Sequence, residues 1–324
     1  MSNLPQGCYP VREVLLIGMP FGGDEQAMEQ YPVTSSILTY WSLSTKIADR
    51  AVSGNAGLNL TQYRTLKYLF GCAGEPTVGG ICSDLGLSRS QAGKTASGLV
   101  DLGLVRKQPR FSGDYAAHLL LTNGGVDTLM ACDNLVARAM VEFMLPAKPL
   151  FDSITKSSLS WIAAGLGPSR QPRRELFGKT LDIGDVIRLG LEGAARIEGT
   201  ISSACRKEGV TKLEYRVLLA MQESPDRTRA ADLADALVVK QPNLSVASRH
   251  LIACKLIEPE PEPRDSRSTF LRITKAGGAA CSRITEPVNE AMMKLSGNDS
   301  SDARAMYVEI SRICVDAERE RKRN

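Results

Sequence analysis

Two short stretches of this 324-residue chain concentrate side chains that read hydrogen-bonding surfaces. Ser88, Arg89, Ser90, Gln91, Lys94 and Thr95 fall close together in the first, and Gln241, Asn243, Ser245, Ser248 and Arg249 in the second. Arginine forks onto guanine and glutamine onto adenine, so such sets suit the major groove of duplex DNA when a helix carries them. Catalytic sets are not evident. The two histidines, His118 and His250, have no serine, cysteine or carboxylate pattern around them that suggests a nucleophile and base. The eight cysteines (8, 72, 82, 132, 205, 254, 281 and 314) never adopt C-x-x-C spacing, so no zinc or dithiol site is expected. The reading at this point is no enzyme, no cofactor and no metal.

Composition agrees with a globular protein: 43% hydrophobic and 23% charged residues. The net charge of +4 is too small to announce a polyanionic partner, so any DNA-binding charge must be local. Scattered cysteines fit reduced, packed thiols in the cytoplasm; a redox-sensing thiol, with Cys72 and Cys82 at the helix-turn-helix that carries the first stretch, is the alternative. The longest apolar run, Val14 to Phe21, is broken by Gly18 and Pro20 and is far shorter than a membrane span of roughly 20 residues. It has neither a basic leader nor a cleavage site, so no signal peptide is expected.

The elements that must position these side chains occur twice. Tyr63-Arg64 recurs as Tyr215-Arg216, Leu99 as Leu251, Leu104-Val105 as Leu256-Ile257, and Leu121-Thr122 with Gly125 as Ile273-Thr274 with Gly277, always 152 positions on. A repeat this long marks duplicated domains rather than a solenoid. Each copy opens on a long amphipathic helix, with a stripe Val33, Ile37, Tyr40, Ser44, Ile47 and Ala51 in the first and Ile183, Ile187, Gly190, Ala194, Ile197, Ile201 and Ala204 in the second. The next helix starts at Asn59 with Gln62 and at Thr211 with Glu214, each a cap followed three positions later by a side chain that reaches back. Leu85-Gly86-Leu87 makes a tight turn, Ser88 caps a helix running to about Leu102, and Leu104–Lys107 with His118–Thr122 form a hairpin. Two further helices follow in each copy, about 126–145 and 150–164, then 278–295 and 301–320. The division is an extension over 1–32 without assigned role, a domain over 33–164, a linker over 165–181 and a domain over 182–324.

A helix-turn-helix followed by a hairpin is a winged helix, and the strings resemble the MarR-type (multiple antibiotic resistance) regulators. The carriers are Leu-Gly-Leu-Ser-Arg-Ser at 85–90, Leu-Gly-Leu-Val at 102–105, and Arg264-Asp-Ser-Arg-Ser-Thr-Phe-Leu-Arg-Ile-Thr-Lys-Ala-Gly277. The resemblance implies a mainly α fold with small β-hairpin wings and a dimer built from the first and last helices. Its recognition helices would enter successive major grooves of double-stranded DNA. With two copies in one chain, the expected form is an intramolecular pseudo-dimer. The resemblance places Arg267 at the wing tip with Asp265 bracing it beside Arg264, where an arginine gains from the negative potential of a narrow minor groove. It also implies a small aromatic or lipophilic ligand in a cleft between the helices and a DNA-binding lobe, without assigning residues.

The copies depart from that pattern unequally. Copy one has Tyr115 and Gly113 where copy two has Arg267 and Asp265, leaving Arg110 or Lys107 as its wing cation. Gly79, Gly80, Gly93 and Gly98 should loosen its helices. Copy two carries Glu258-Pro-Glu-Pro-Glu-Pro263, read either as a polyproline-like strand with solvated glutamates or as a protein contact. The three arginines within 165–174 read as solvated linker charge, and Tyr31, Tyr40, Trp41 and Tyr63 as core or interface rather than a ligand cage. Because the two recognition helices share almost no exposed residues, the operator expected is asymmetric. The competing function is a ligand or protein sensor that kept the fold and lost DNA affinity.

Overall fold

The computed structural model describes residues 33–71, 76–108, 117–153, 183–224, 228–262, 265–296 and 301–323. The extension over 1–32, Cys72, the linker, positions 154–164 of the expected 150–164 helix, Arg110, Tyr115 and Arg264 lie outside them. The fold is mainly helical with two small antiparallel sheets. Its first half runs α1 (Ser35–Ala56), α2 (Leu60–Gly71), α3 (Val78–Leu85), α4 (Arg89–Asp101), β1 (Val105–Gln108), β2 (His118–Leu121), α5 (Asn123–Met144) and α6 (Lys148–Ser153). Its second runs α7 (Ile183–Lys207), α8 (Lys212–Glu223), β3 (Thr228–Arg229), α9 (Ala230–Ala236), α10 (Gln241–Ala253), β4 (Ile257–Glu262), β5 (Asp265–Ile273), α11 (Lys275–Ser296) and α12 (Ser301–Arg323). The boundaries expected from sequence are met within a few residues. Among the described residues no helix is long and apolar enough to cross a membrane.

The helix starts are built as their sequences dictate. Asn59 and Gln62 exchange side-chain and backbone hydrogen bonds at 2.9 and 3.0 Å, and Thr211 with Glu214 does the same at 3.2 and 2.7 Å. Of the long-helix stripes, Val33, Ile37, Tyr40 and Ser44 in the first and Ala194, Ile197, Ile201 and Ala204 in the second are buried, and Ile47 and Ala51 are half-buried. Helix α1 packs on α5 and, across the halves, on α12 and α8; α7 packs on α11 and, across the halves, on α5. At the crossing Tyr40 stacks on Phe143 (centroids 5.4 Å) and meets Tyr307 edge-on at 6.0 Å, while Trp41 Nε1 donates to the Tyr307 hydroxyl at 2.6 Å. Tyr40, Trp41 and Tyr63 are core residues, as expected.

A clamp recurs where each hairpin meets the following helix. Thr122 and Thr274 cap α5 and α11 by accepting from Gly125 and Gly277 N–H at 3.0 Å, and their own N–H groups donate at 3.1 Å to the carbonyls of Leu104 and Leu256. A Cβ on Gly125 would lie 2.1 Å from the Leu104 oxygen, and one on Gly277 1.9 Å from that of Leu256. The recurring glycines are therefore required by close backbone approach. Gly80 differs from these, since a Cβ there would meet only the Tyr68 hydroxyl, the far end of a side chain, at 2.5 Å.

The Glu-Pro run is also corrected. Residues 257–262 form β4, paired antiparallel with β5 and opposing Glu258 to Arg272 and Glu260 to Phe270, in a sheet ordered β3-β5-β4. Edge position lets Pro259 and Pro261 be accommodated without N–H donors. Glu258 is exposed, whereas Glu260 accepts from Arg272 at 2.6 Å. Two substitutions test the backbone argument. Gly277→Ala should lower stability by about 1–3 kcal/mol or more in urea titration, because the carbonyl beside it cannot retreat without breaking the clamp. Lys255→Gly should raise it by about 0.5–1 kcal/mol, because exposed Lys255 holds φ +59° where the first half has Gly103 at +69°.

Candidate nucleic-acid interface

Helix α4 emerges from a turn that its sequence specifies. Gly86 closes α3 at φ +65°, and Ser88 caps α4 by accepting from Gln91 N–H at 3.2 Å while Gln91 Oε1 accepts from Ser88 N–H at 3.1 Å. Ala92, Ala96 and Leu99 face the core, leaving Ser88, Arg89, Ser90, Gln91 and Lys94 exposed and Thr95 half-buried. The exposed set is the expected one, with one qualification of role. Ser88 and Gln91 are joined to each other in the capping box, so Arg89, Ser90 and Lys94 are the side chains this helix end presents unencumbered by it.

Helix α10 begins at Gln241, with Lys240 as cap and Pro242 at the second helical position. Gln241, Asn243, Ser245 and Arg249 are exposed. The Ser245 hydroxyl donates back to the Gln241 carbonyl at 3.0 Å, and Arg249 Nε donates to the Ser245 carbonyl at 3.3 Å. Ser248 is not an outward residue. It is 7% exposed, because spacings of three and four place it with Leu244, Ala247 and Leu251 on the buried stripe. Sequence reasoning passed over Val246, which is 58% exposed beside Ser245 and is suited to a thymine methyl group. Its helical phase, one turn after Pro242, was the available signal.

Strands β1 and β2 pair Val105 with Leu121 through Gln108 with His118, leaving Arg106 and Lys107 exposed on β1. In the second sheet Asp265 and Arg267 lie at the start of β5, immediately past the bend, and Asp265 opposes Glu262. On its outer strand, Arg229 stacks over the Phe270 ring at 5.2 Å.

The MarR family model matches residues 208–268, which contain α8, α9, α10 and β4 and enter β5. Among solved structures, a MarR family regulator from Streptomyces coelicolor in complex with DNA is 23% identical, covering 43% of this chain and 90% of its own at TM-score 0.36. MarR from E. coli in its apo form is 19% identical over 39% and 91% of the two chains at TM-score 0.33. A single-residue mutant of S. aureus MepR bound to an oligodeoxyribonucleotide is 18% identical over 38% and 88% at TM-score 0.31. No curated protein matches the chain.

The turn within the matched segment is held from both sides by cations that sequence reading did not single out. Val238 sits at φ +52°, where the first half has Gly86. A β-branched residue is strained there, and burial of its side chain opposes the strain. Arg216 donates to the Leu237 carbonyl at 2.5 Å and to Thr39 Oγ1 of α1 at 2.9 Å. From α12, Arg319 donates to the carbonyls of Asp235 (3.2 Å) and Ala236 (2.6 Å), Lys322 to that of Val238 (3.2 Å), and Arg323 to the Asp235 carboxylate (2.5 Å). Cations at the C-terminal end of α9 also meet the negative end of its dipole.

Arg216 is 8% exposed, and among the described residues no carboxylate pairs with it and its Nε has no hydrogen-bond partner. Burial lowers its pKa to about 10. It lines a cavity of about 400 Å³ with Leu38, Trp41, Lys46, Ile201, Leu213 and Val239. Burial and then the neighbouring Arg216 charge also lower the Lys46 pKa. The corresponding space beside Tyr63 and Arg64 is only about 30 Å³. Replacing Arg319 and Lys322 together with alanine should weaken hydrogen-exchange protection of the Val238 and Val239 amides by about 5–10-fold, the loss expected for one or two net hydrogen bonds.

Proposed function

We propose that this chain is a DNA-binding transcriptional regulator in which two winged-helix lobes, over 33–164 and 182–324, form a single-chain pseudo-dimer on an asymmetric operator. The observation that carries the reading is the match of 208–268 to the MarR family model, in which α10 leaves Gln241, Asn243 and Arg249 exposed. The same element order in the first half supports the second lobe, and packing of α1 on α12 and α7 on α5 supports the pseudo-dimer. Unlike exposed residues on α4 and α10 support unlike half-sites. In this reading Arg110, Arg264, Asp265 and Arg267 serve the wings.

Control by a small ligand is part of the proposal. The 400 Å³ cavity combines apolar side chains with the buried Arg216, and Lys46, Lys212 and one carboxylate, Glu198, also line it, which fits an aromatic or lipophilic molecule carrying an anionic end held at Arg216. Such an anion competes for the guanidinium that holds the Leu237 carbonyl. Exposed Glu258 on the second hairpin favours the other reading, a sensor without DNA affinity, because a carboxylate repels phosphate.

Selection of preferred sites from short genomic duplexes at two salt concentrations separates the two readings. A regulator enriches a site with unlike halves about one helical turn apart, and its log affinity falls linearly with log salt by roughly 0.9 per phosphate contact. Sequence-blind or salt-independent retention contradicts the proposal. Arg267→Ala should weaken binding to sites with A/T-rich flanks by about tenfold in fluorescence anisotropy, with little change at G/C-rich flanks.

A further inference from the structure

His250 is not the isolated histidine that its sequence neighbourhood suggests. Its Nδ1 lies 2.9 Å from Glu214 Oε1, and its Nε2 faces the Cys254 sulfur at 3.6 Å. Glu214 is 4% exposed and is held by Thr211 N–H through its other oxygen, so the carboxylate is fixed before it meets the ring. It accepts at Nδ1, which leaves Nε2 as the acceptor facing the thiol. Cysteine, histidine and glutamate thus form a line through opposite ring nitrogens. The groups do not converge on a point, and no metal-holding cluster occurs among the described residues.

The other described cysteines supply a contrast. Cys132, Cys205, Cys281 and Cys314 are buried and Cys82 is half-buried, whereas Cys254 is exposed. Burial raises the thiol pKa to about 11 at Cys205 and about 12 at Cys281 and Cys314. The first half supplies a second contrast at the same places in the fold. Positions 62, 98 and 102, each 152 before 214, 250 and 254, are Gln62, Gly98 and Leu102. A Cβ on Gly98 would lie 3.3 Å from Gln62 Nε2, so the two sites share one geometry, yet all three chemistry-bearing residues occur together in one half only.

We infer that Cys254 is a reactive thiol, activated by His250 and Glu214, that is oxidised by hydroperoxides at the C-terminal cap of α10. His250 Nε2 accepts the thiol proton, and the sulfur attacks one peroxide oxygen. An S–O bond forms as the O–O bond breaks, sulfur loses two electrons to the peroxide, and the departing oxygen leaves as water or alcohol after taking the proton from His250. The product is cysteine sulfenic acid. His250 and Glu214 are positioning and proton-transfer groups in this step, and Cys254 is the nucleophile.

The test uses the full chain, hydrogen peroxide and a 1,3-dione that traps sulfenic acid, with each cysteine followed by peptide mass spectrometry. Cys254 is expected to be trapped at least tenfold faster than Cys82, and His250→Gln to slow it about tenfold while the melting curve is kept. Trapping of Cys254 no faster than Cys82, or at a rate unchanged by His250→Gln in a folded variant, overturns the inference. If the variant does not fold, the ratio of rates within the unsubstituted chain decides alone. None of these readouts depends on DNA binding.

Discussion

The buried guanidinium of Arg216 is the contact through which the long first helix and the helix-turn-helix of the second half become one body. Desolvating a cation costs several kcal/mol unless hydrogen bonds replace its water. Here the replacements come from three places: Thr39 and Ser42 on α1, and the Leu237 carbonyl in the turn before α10. Movement of α1 relative to α8 therefore changes the support of the turn. The basic end of α12 reaches the same turn from the other side, so Arg216 of α8, itself held by α1, and α12 converge on four consecutive residues, 235–238. With Val238 in a left-handed conformation, that turn is strained and depends on these partners.

The two halves serve as comparisons for each other. Their shared features are backbone requirements: a threonine cap, a glycine pressed against a carbonyl, and a left-handed residue after the reading helix. Their differences are in side chains that meet solvent or line cavities. Gly86 and Gly103 are replaced by Val238 and Lys255 at the same left-handed positions, and the roomy cavity beside Arg216 is nearly closed beside Arg64. The backbone frame is thus alike in the two halves, while each has its own surface.

Local signals made much of this legible in the sequence. Capping boxes span three residues, hairpins and helix stripes have fixed periods, and the repeat aligned without a gap, so the elements were placed within a few residues. What escaped depended on helical phase or distant contacts. Ser248 looked outward because its polarity outweighed its spacing from Leu244 and Leu251. Arg216 sits in an ordinary helix, and its partner Thr39 lies 177 residues away. The Glu-Pro run read as polyproline because its pairing with β5 is a tertiary fact. His250 found its carboxylate 36 residues back, beyond any local pattern.

The central claim is that one chain supplies both DNA-reading lobes. Native mass spectrometry of the chain titrated onto a selected duplex tests it most directly. The account predicts saturation at one chain per duplex, with no larger complex at protein excess over a single site. Saturation at two chains per duplex, each contributing one lobe, would contradict it.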